Sequence, residues 1–167
     1  MKRIAVLLAA CLLLCACAAG AGDENAVFID PNAVQGGGYG ALYFEANGVR
    51  FGIFDEAQKV IDALPAYRSS FVAETCAFDS KDVYYYYMGF QIMTNEIDGV
   101  ERITAITLAD DTVKTPQGLY IGMPESDAAA AFPALNEQNW NPVDGTAQLS
   151  VVIRDGAIAA IVYTPSN

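Results

Sequence analysis

Three dipeptides do most to limit what this chain can fold into: Asn47-Gly48, Asp98-Gly99 and Asp155-Gly156. Asn-Gly and Asp-Gly readily take the positive φ that a two-residue hairpin turn demands of its central residues. Each dipeptide stands between apolar-rich runs. Ala41-Leu-Tyr-Phe-Glu45 and Val49-Arg-Phe-Gly-Ile53 flank the first, Val83 to Met93 and Val100 to Leu108 the second, Leu149 to Ile153 and Ala157 to Tyr163 the third. Runs rich in Val, Ile, Tyr and Phe and closed by such turns read as antiparallel strands, about seven in all.

Two short helices interrupt them. Asp55-Glu-Ala-Gln58 has the form of an N-cap with a reciprocal Gln, and Ala57, Val60, Ile61 and Leu64 follow at helical spacing, so one face packs on the sheet. Pro65 stops this helix, since proline cannot continue the hydrogen-bond ladder. In the second, Pro124 fits the first turn, Glu125 and Asp127 suit the positive end of the helix dipole, and Ala128, Ala131 and Phe132 form a stripe before Pro133. The punctuation repeats: Gly48-Val-Arg-Phe-Gly52, a helix and Ala63-Leu-Pro65 align with Gly118-Leu-Tyr-Ile-Gly122, a helix and Ala131-Phe-Pro133. The expected fold is therefore α+β, with tandem strand-helix-strands units over 41–115 and 116–167, a mostly antiparallel sheet and the two short helices on one face. Neither unit buries much apolar surface alone, so 41–167 is expected to form one domain.

The N-terminus reads as an address. Met1-Lys2-Arg3, the apolar run Ile4 to Leu14 and small residues to Gly22 follow the order of an export signal. The run is about half the roughly 20 residues of a membrane-spanning helix. Ala18 to Gly40 is small and polar, with Gly36-Gly37-Gly38-Tyr39-Gly40 near its end, and reads as a tether. No Lys follows these glycines and no helix opens behind them, so they do not form a phosphate cradle.

Leu14-Cys15-Ala16-Cys17 resembles the lipobox of bacterial lipoproteins, with Cys15 where Ala or Ser is more usual. The resemblance implies a signal peptide over 1–16, cleavage before Cys17, lipidation of Cys17, and a tether over 17–40. The alternative is ordinary secretion, with a cut after Ala18 or Ala21. Ala18 in place of Asp means that the inner-membrane retention signal of two-membrane bacteria is absent, so the cell membrane and the outer membrane both stay open as destinations, with the domain facing away from the cytoplasm.

The second unit, with Gly118-Leu-Tyr-Ile-Gly-Met123, a short helix and the closing strand to Tyr163, resembles the small lipoproteins of outer-membrane assembly and the related β-lactamase-inhibitor-protein-like domains. In the inhibitor-like proteins such units come in tandem and the sheet binds protein. The first unit, with Thr75-Cys-Ala-Phe78, Tyr84-Tyr-Tyr-Tyr-Met-Gly-Phe90 and Ile103 to Leu108, resembles a recurrent group of bacterial lipoproteins without an assigned activity. Pro65 and Pro133 stand where helices of this kind often end in Gly.

Composition narrows the chemistry. The chain has no histidine, which removes Ser-His and Cys-His pairs, imidazole zinc sites and the commonest general base. Nine Lys and Arg against twenty Asp and Glu give net −11, unsuited to nucleic acid or anionic lipid. Losing Lys2 and Arg3 with the signal leaves seven cations against twenty acids, net −13. With the cleavage that the lipobox resemblance implies, Cys11 and Cys15 leave with the signal and Cys17 carries lipid, so Cys76 alone is expected to remain as a thiol, without a disulfide framework. Its apolar neighbours mark Cys76 as a buried, inert thiol. Asp55 with Glu56, Asp79 with Asp82, and Asp110 with Asp111 lack the spacing of an EF-hand loop, and Lys59, Lys81 and Lys114 sit in polar settings that give no reason for a lowered pKa. No catalytic residue, metal or cofactor is predicted.

The tyrosine run carries the one candidate contact site. Read as a single strand, it puts Tyr84, Tyr86, Met88, Phe90 and Ile92 on a core face and Tyr85 and Tyr87 on an open face, with Trp140 nearby if its strand runs close. Tyrosines also pack well across strands, so the run can equally be structural. The functional expectation is a membrane-anchored cell-envelope lipoprotein, not an enzyme, that binds another envelope or extracellular protein through Tyr85, Tyr87 and Trp140. The alternative is a carbohydrate or small-ligand receptor using the same rings.

Overall fold

The computed structural model describes residues 40–74 and 81–167, and at all three dipeptides it has consecutive residues of positive φ: Asn47 and Gly48 at 52° and 78°, Asp98 and Gly99 at 53° and 76°, Asp155 and Gly156 at 53° and 74°. These are the primed turns that match the right-handed twist of paired strands. In chain order the elements are β1 (Phe44–Ala46), β2 (Val49–Phe51), α1 (Ala57–Ala63), β3 (Ser69–Glu74), β4 (Lys81–Tyr86), β5 (Phe90–Ile97), β6 (Val100–Leu108), α2 (Glu125–Ala131), β7 (Val143–Asp144), β8 (Ala147–Arg154) and β9 (Ala157–Pro165). β1 and β2 form a small hairpin, and the other strands form one antiparallel sheet in the order β3-β4-β5-β6-β9-β8-β7. The protein is thus a mostly antiparallel sheet with two short helices.

One face of this sheet carries the core. Phe90 and Ile92 of β5, Ile103, Ile106 and Leu108 of β6, Leu149 and Val151 of β8, and Ile158, Ile161 and Tyr163 of β9 are buried together. Phe44 and Phe51 of the small hairpin, Ala57 and Val60 of α1, Leu119, and Ala128 of α2 cover them. Seven-residue helices are too short to be stable alone, and burial of these apolar stripes holds them in place. Among the described residues no helix is long and apolar enough to cross a membrane.

Four local expectations are corrected. The run Val83 to Met93 is not one strand, because the Tyr87 N–H donates to the Phe90 carbonyl at 2.9 Å across a two-residue turn, Met88-Gly89, with Gly89 at φ 80°. Glycine adopts that backbone without a Cβ clash, and a Cβ there would lie 2.5 Å from Thr112 Oγ1 and 2.8 Å from Val113 Cγ1. Asp55 does not cap α1; the cap position is Glu56, which makes no side-chain cap bond, while the Asp55 carboxylate accepts the Gly52 N–H at 2.8 Å and Gln58 donates to Asp62 instead. Pro124 occupies the N-cap of α2 and not its first turn. Gly118 to Gly122 is irregular, whereas its aligned stretch Gly48 to Gly52 contains β2.

Candidate functional site

The turn at Met88-Gly89 inverts the sides of the tyrosine run. Tyr85 lies opposite Ile92, and Tyr84 opposite Met93. Residues directly opposite in an antiparallel pair share a face, so Tyr85 and Tyr87 point with Ile92 and Phe90 toward the core, and Tyr84 and Tyr86 point away. Tyr87 is only 8% exposed and stacks on Phe90, with ring centroids 4.8 Å apart and planes 4° from parallel. Tyr67 covers both rings edge-on, at 5.2 Å from Tyr85 and 6.3 Å from Tyr87. The expectation of an open face at Tyr85 and Tyr87 is therefore corrected.

Their hydroxyls report the same burial. The Tyr85 hydroxyl donates to Glu101 Oε1 at 3.1 Å, and the Thr94 hydroxyl donates to the same oxygen at 2.5 Å. Burial first, then the Glu101 charge and this hydrogen bond, push Tyr85 up to about 12 from its usual 10.0. Burial, then Tyr67, push Tyr87 up to about 12. Burial raises Tyr163 as well. Between pH 10 and 12 an unfolded chain has lost these phenol protons while the folded chain keeps them, so stability falls as pH rises through that interval and is complete below it. A melting temperature that is level up to about pH 10 and then drops, with phenolate absorbance of the buried rings appearing only on unfolding, is the expected result. Tyrosines that all ionise near pH 10 without loss of structure would put Tyr85 and Tyr87 in water.

Trp140 does not join these rings. It is half-buried against the core, its carbonyl accepts the Val151 N–H at 2.9 Å, and β5, β6 and β9 separate β8 from β4. Strand order, which no local pattern states, keeps them apart. Cys17, the signal, the tether up to residue 39, and Cys76 lie outside the described residues.

A set of exposed and half-buried apolar groups lies elsewhere. Phe71, Tyr84, Tyr86, Met93, Val152 and Val162 share the face opposite the core, linked by the pairs Phe71 with Tyr84, Tyr84 with Met93, and Val152 with Ala160. Phe71 is 58% exposed, Val152 47% and Tyr86 36%. No element of the described residues packs on this face, since both helices and the small hairpin bury their apolar residues on the other. A cleft of about 360 Å³ opens separately between the β1–β2 turn, the β4–β5 turn and Thr112 to Lys114, with Glu45, Asn47, Thr112 and Lys114 as its polar lining.

Compared with family models, curated proteins and solved structures, the chain matches none.

Proposed function

We propose that this chain is a lipid-anchored protein of a bacterial cell envelope, facing away from the cytoplasm, whose sheet serves as a non-catalytic module for binding another protein. The observation that carries this reading is the uncovered sheet face with Phe71, Tyr86 and Val152 exposed on it. Large rings and branched aliphatics left in water on one surface are the composition of a contact patch. The export-signal pattern and Leu14-Cys15-Ala16-Cys17 support the anchor at Cys17.

The tandem-unit organisation belongs to the same proposal. Ahead of α1, the Phe54 N–H donates to the Ile103 carbonyl at 2.8 Å and the Ile103 N–H to the Asp55 carbonyl at 2.9 Å. Ahead of α2, the Gly122 N–H donates to the Ile158 carbonyl at 2.8 Å and the Ile158 N–H to the Met123 carbonyl at 2.9 Å. Phe54 and Gly122 both have positive φ, 70° and 88°, and both helices run seven residues to a proline two positions on. Ile103 and Ile158 each lie next to a bulge in the hairpin that follows. Such repeated docking supports two copies of one unit, the second lacking a hairpin like β1–β2.

The test is affinity capture from native envelopes with wild type beside Tyr86→Ser/Val152→Ser, scoring proteins and glycans together. Both substitutions are on the open face and leave the core intact, so a protein held by wild type and lost by the folded variant is expected. Equal capture by both would refute the open face as the contact surface. The second reading, a carbohydrate or small-ligand receptor, is favoured by the cleft at Glu45 and Lys114, and glycan capture unaffected by the double variant would promote it.

A further inference from the structure

The two ends of the sheet are unlike. β7 is two residues long and follows Pro142, and its Asp144 carboxylate accepts the N–H of Ala41, so Gly40 and Ala41 lie against that edge. Gly40 passes so close that a Cβ there would collide with the same carboxylate. β3 is six residues long, exposed at all but Ala73, and pairs with β4 on its inner side alone among the described residues. It contains no Pro, Lys or bulge, the devices by which edge strands discourage a further strand. Phe71 and Val72 at its middle are 58% and 49% exposed.

We propose that β3 is the pairing edge between two copies of this chain, joined antiparallel across a two-fold axis through Phe71. This deepens the interaction-module reading, on which it rests, by naming one partner as the chain itself. A two-fold axis that joins two edges into one continuous sheet stands normal to that sheet, so residues brought opposite each other come from the same face. Faces alternate with period two, so only residues of equal parity can be opposite, and the axis must pass through a residue.

Charge then selects the residue. Arg68-Ser-Ser-Phe71-Val-Ala-Glu74 carries opposite charges three positions to either side of Phe71. An axis at Phe71 sets Arg68 opposite Glu74 of the second copy twice over, with Ser69 opposite Ala73 and Ser70 opposite Val72. Moving the axis to Val72 sets Glu74 opposite Ser70, and moving it to Ser70 sets Arg68 opposite Val72; both shifts lose both ion pairs. Among the described residues neither Arg68 nor Glu74 is ion-paired within the chain; the Arg68 guanidinium donates to Met88 Sδ at 2.6 Å, and a carboxylate is a far stronger acceptor than that thioether, so Glu74 of a second copy would displace it. On the open face the two Phe71 rings meet, each backed by Tyr84 of its own copy at 6.3 Å, and cross-strand aromatic pairs of this kind stabilise sheets. The contact is one strand deep, which places the pair at about 10–100 µM dissociation constant in free solution. Anchoring both copies in one membrane would raise their effective concentration.

The test is sedimentation equilibrium of the chain from Ala18 onward, which keeps every core residue from Leu42 to Tyr163. Wild type is expected to dimerise in that range. Phe71→Lys replaces the ring pair on the axis by two lysines whose Cβ atoms are about 5 Å apart and should weaken dimerisation about 100-fold or more. Arg68→Glu should weaken it about tenfold, and Arg68→Glu/Glu74→Arg should restore it, because the swap repairs both pairs in this register alone. Thermal unfolding of each variant checks that the exposed substitutions leave the fold intact. A wild type that stays monomeric at about 1 mM overturns the proposal, as does a dimer that survives Phe71→Lys or a charge swap without rescue. A monomeric wild type that still captures an envelope protein through Tyr86 and Val152 would overturn self-pairing while leaving the open-face reading in place.

Discussion

Tyr87→Ala is expected to cost about 3–5 kcal/mol of stability, and Tyr86→Ala, one position earlier, well under 1 kcal/mol. The two side chains are alike and adjacent, so the contrast isolates burial. Tyr87 stacks on Phe90 and meets Tyr67 edge-on, and removing its ring strips the buried Phe90 face of its stacking partner and leaves a cavity beside it. Tyr86 is 36% exposed on the far side of the sheet, and its loss removes surface contacts only. Denaturant unfolding measures the difference as a shift in midpoint at constant slope. If Tyr86→Ala were the costly change, the run would cross Met88-Gly89 as one strand and the sides assigned here would be reversed.

That reversal shows where the sequence is informative. Asn47-Gly48, Asp98-Gly99 and Asp155-Gly156 announce their hairpins because two residues in succession must adopt positive φ, a demand few residue pairs meet. Met88-Gly89 asks it of Gly89 only, and a single glycine within a strand pattern also reads as a bulge or a tolerated interior residue. Four tyrosines in a row add no polar alternation from which the phase could be recovered. Without that turn a strand pattern places every side chain before it on the wrong face, since the period is two. The helices were legible from Val60, Ile61, Pro65 and Pro133, but Asp55 was not, because its carboxylate is taken by the Gly52 N–H. The separation of Trp140 from the tyrosines and the edge position of β3 are facts of strand order, and strand order depends on contacts between residues far apart in the chain.

Phe44→Ala should be as damaging as Tyr87→Ala, about 3–5 kcal/mol, and should affect both wings of the sheet together. Phe44 is fully buried, with Phe51 of β2 at 5.6 Å, Phe90 of β5 at 5.2 Å and Tyr163 of β9 at 6.1 Å. β6 and β9, where the wings meet, are matched at only two residue pairs, Ile106 with Tyr163 and Thr107 with Val162. The small hairpin therefore bridges this junction from the core side, with Phe44 touching one ring from each wing. Trp140 is the chain's only tryptophan, so its fluorescence follows the β8 wing, while tyrosine near-ultraviolet dichroism, weighted toward the other wing by Tyr67 and Tyr84 to Tyr87, follows mainly that one. In wild type and in Phe44→Ala the two signals should change in one coincident transition, lower in the variant, as expected of a single cooperative unit. A variant whose tyrosine signal melts well before its tryptophan signal would mean that β6–β9 pairing alone holds the wings, and that each wing keeps a stability of its own.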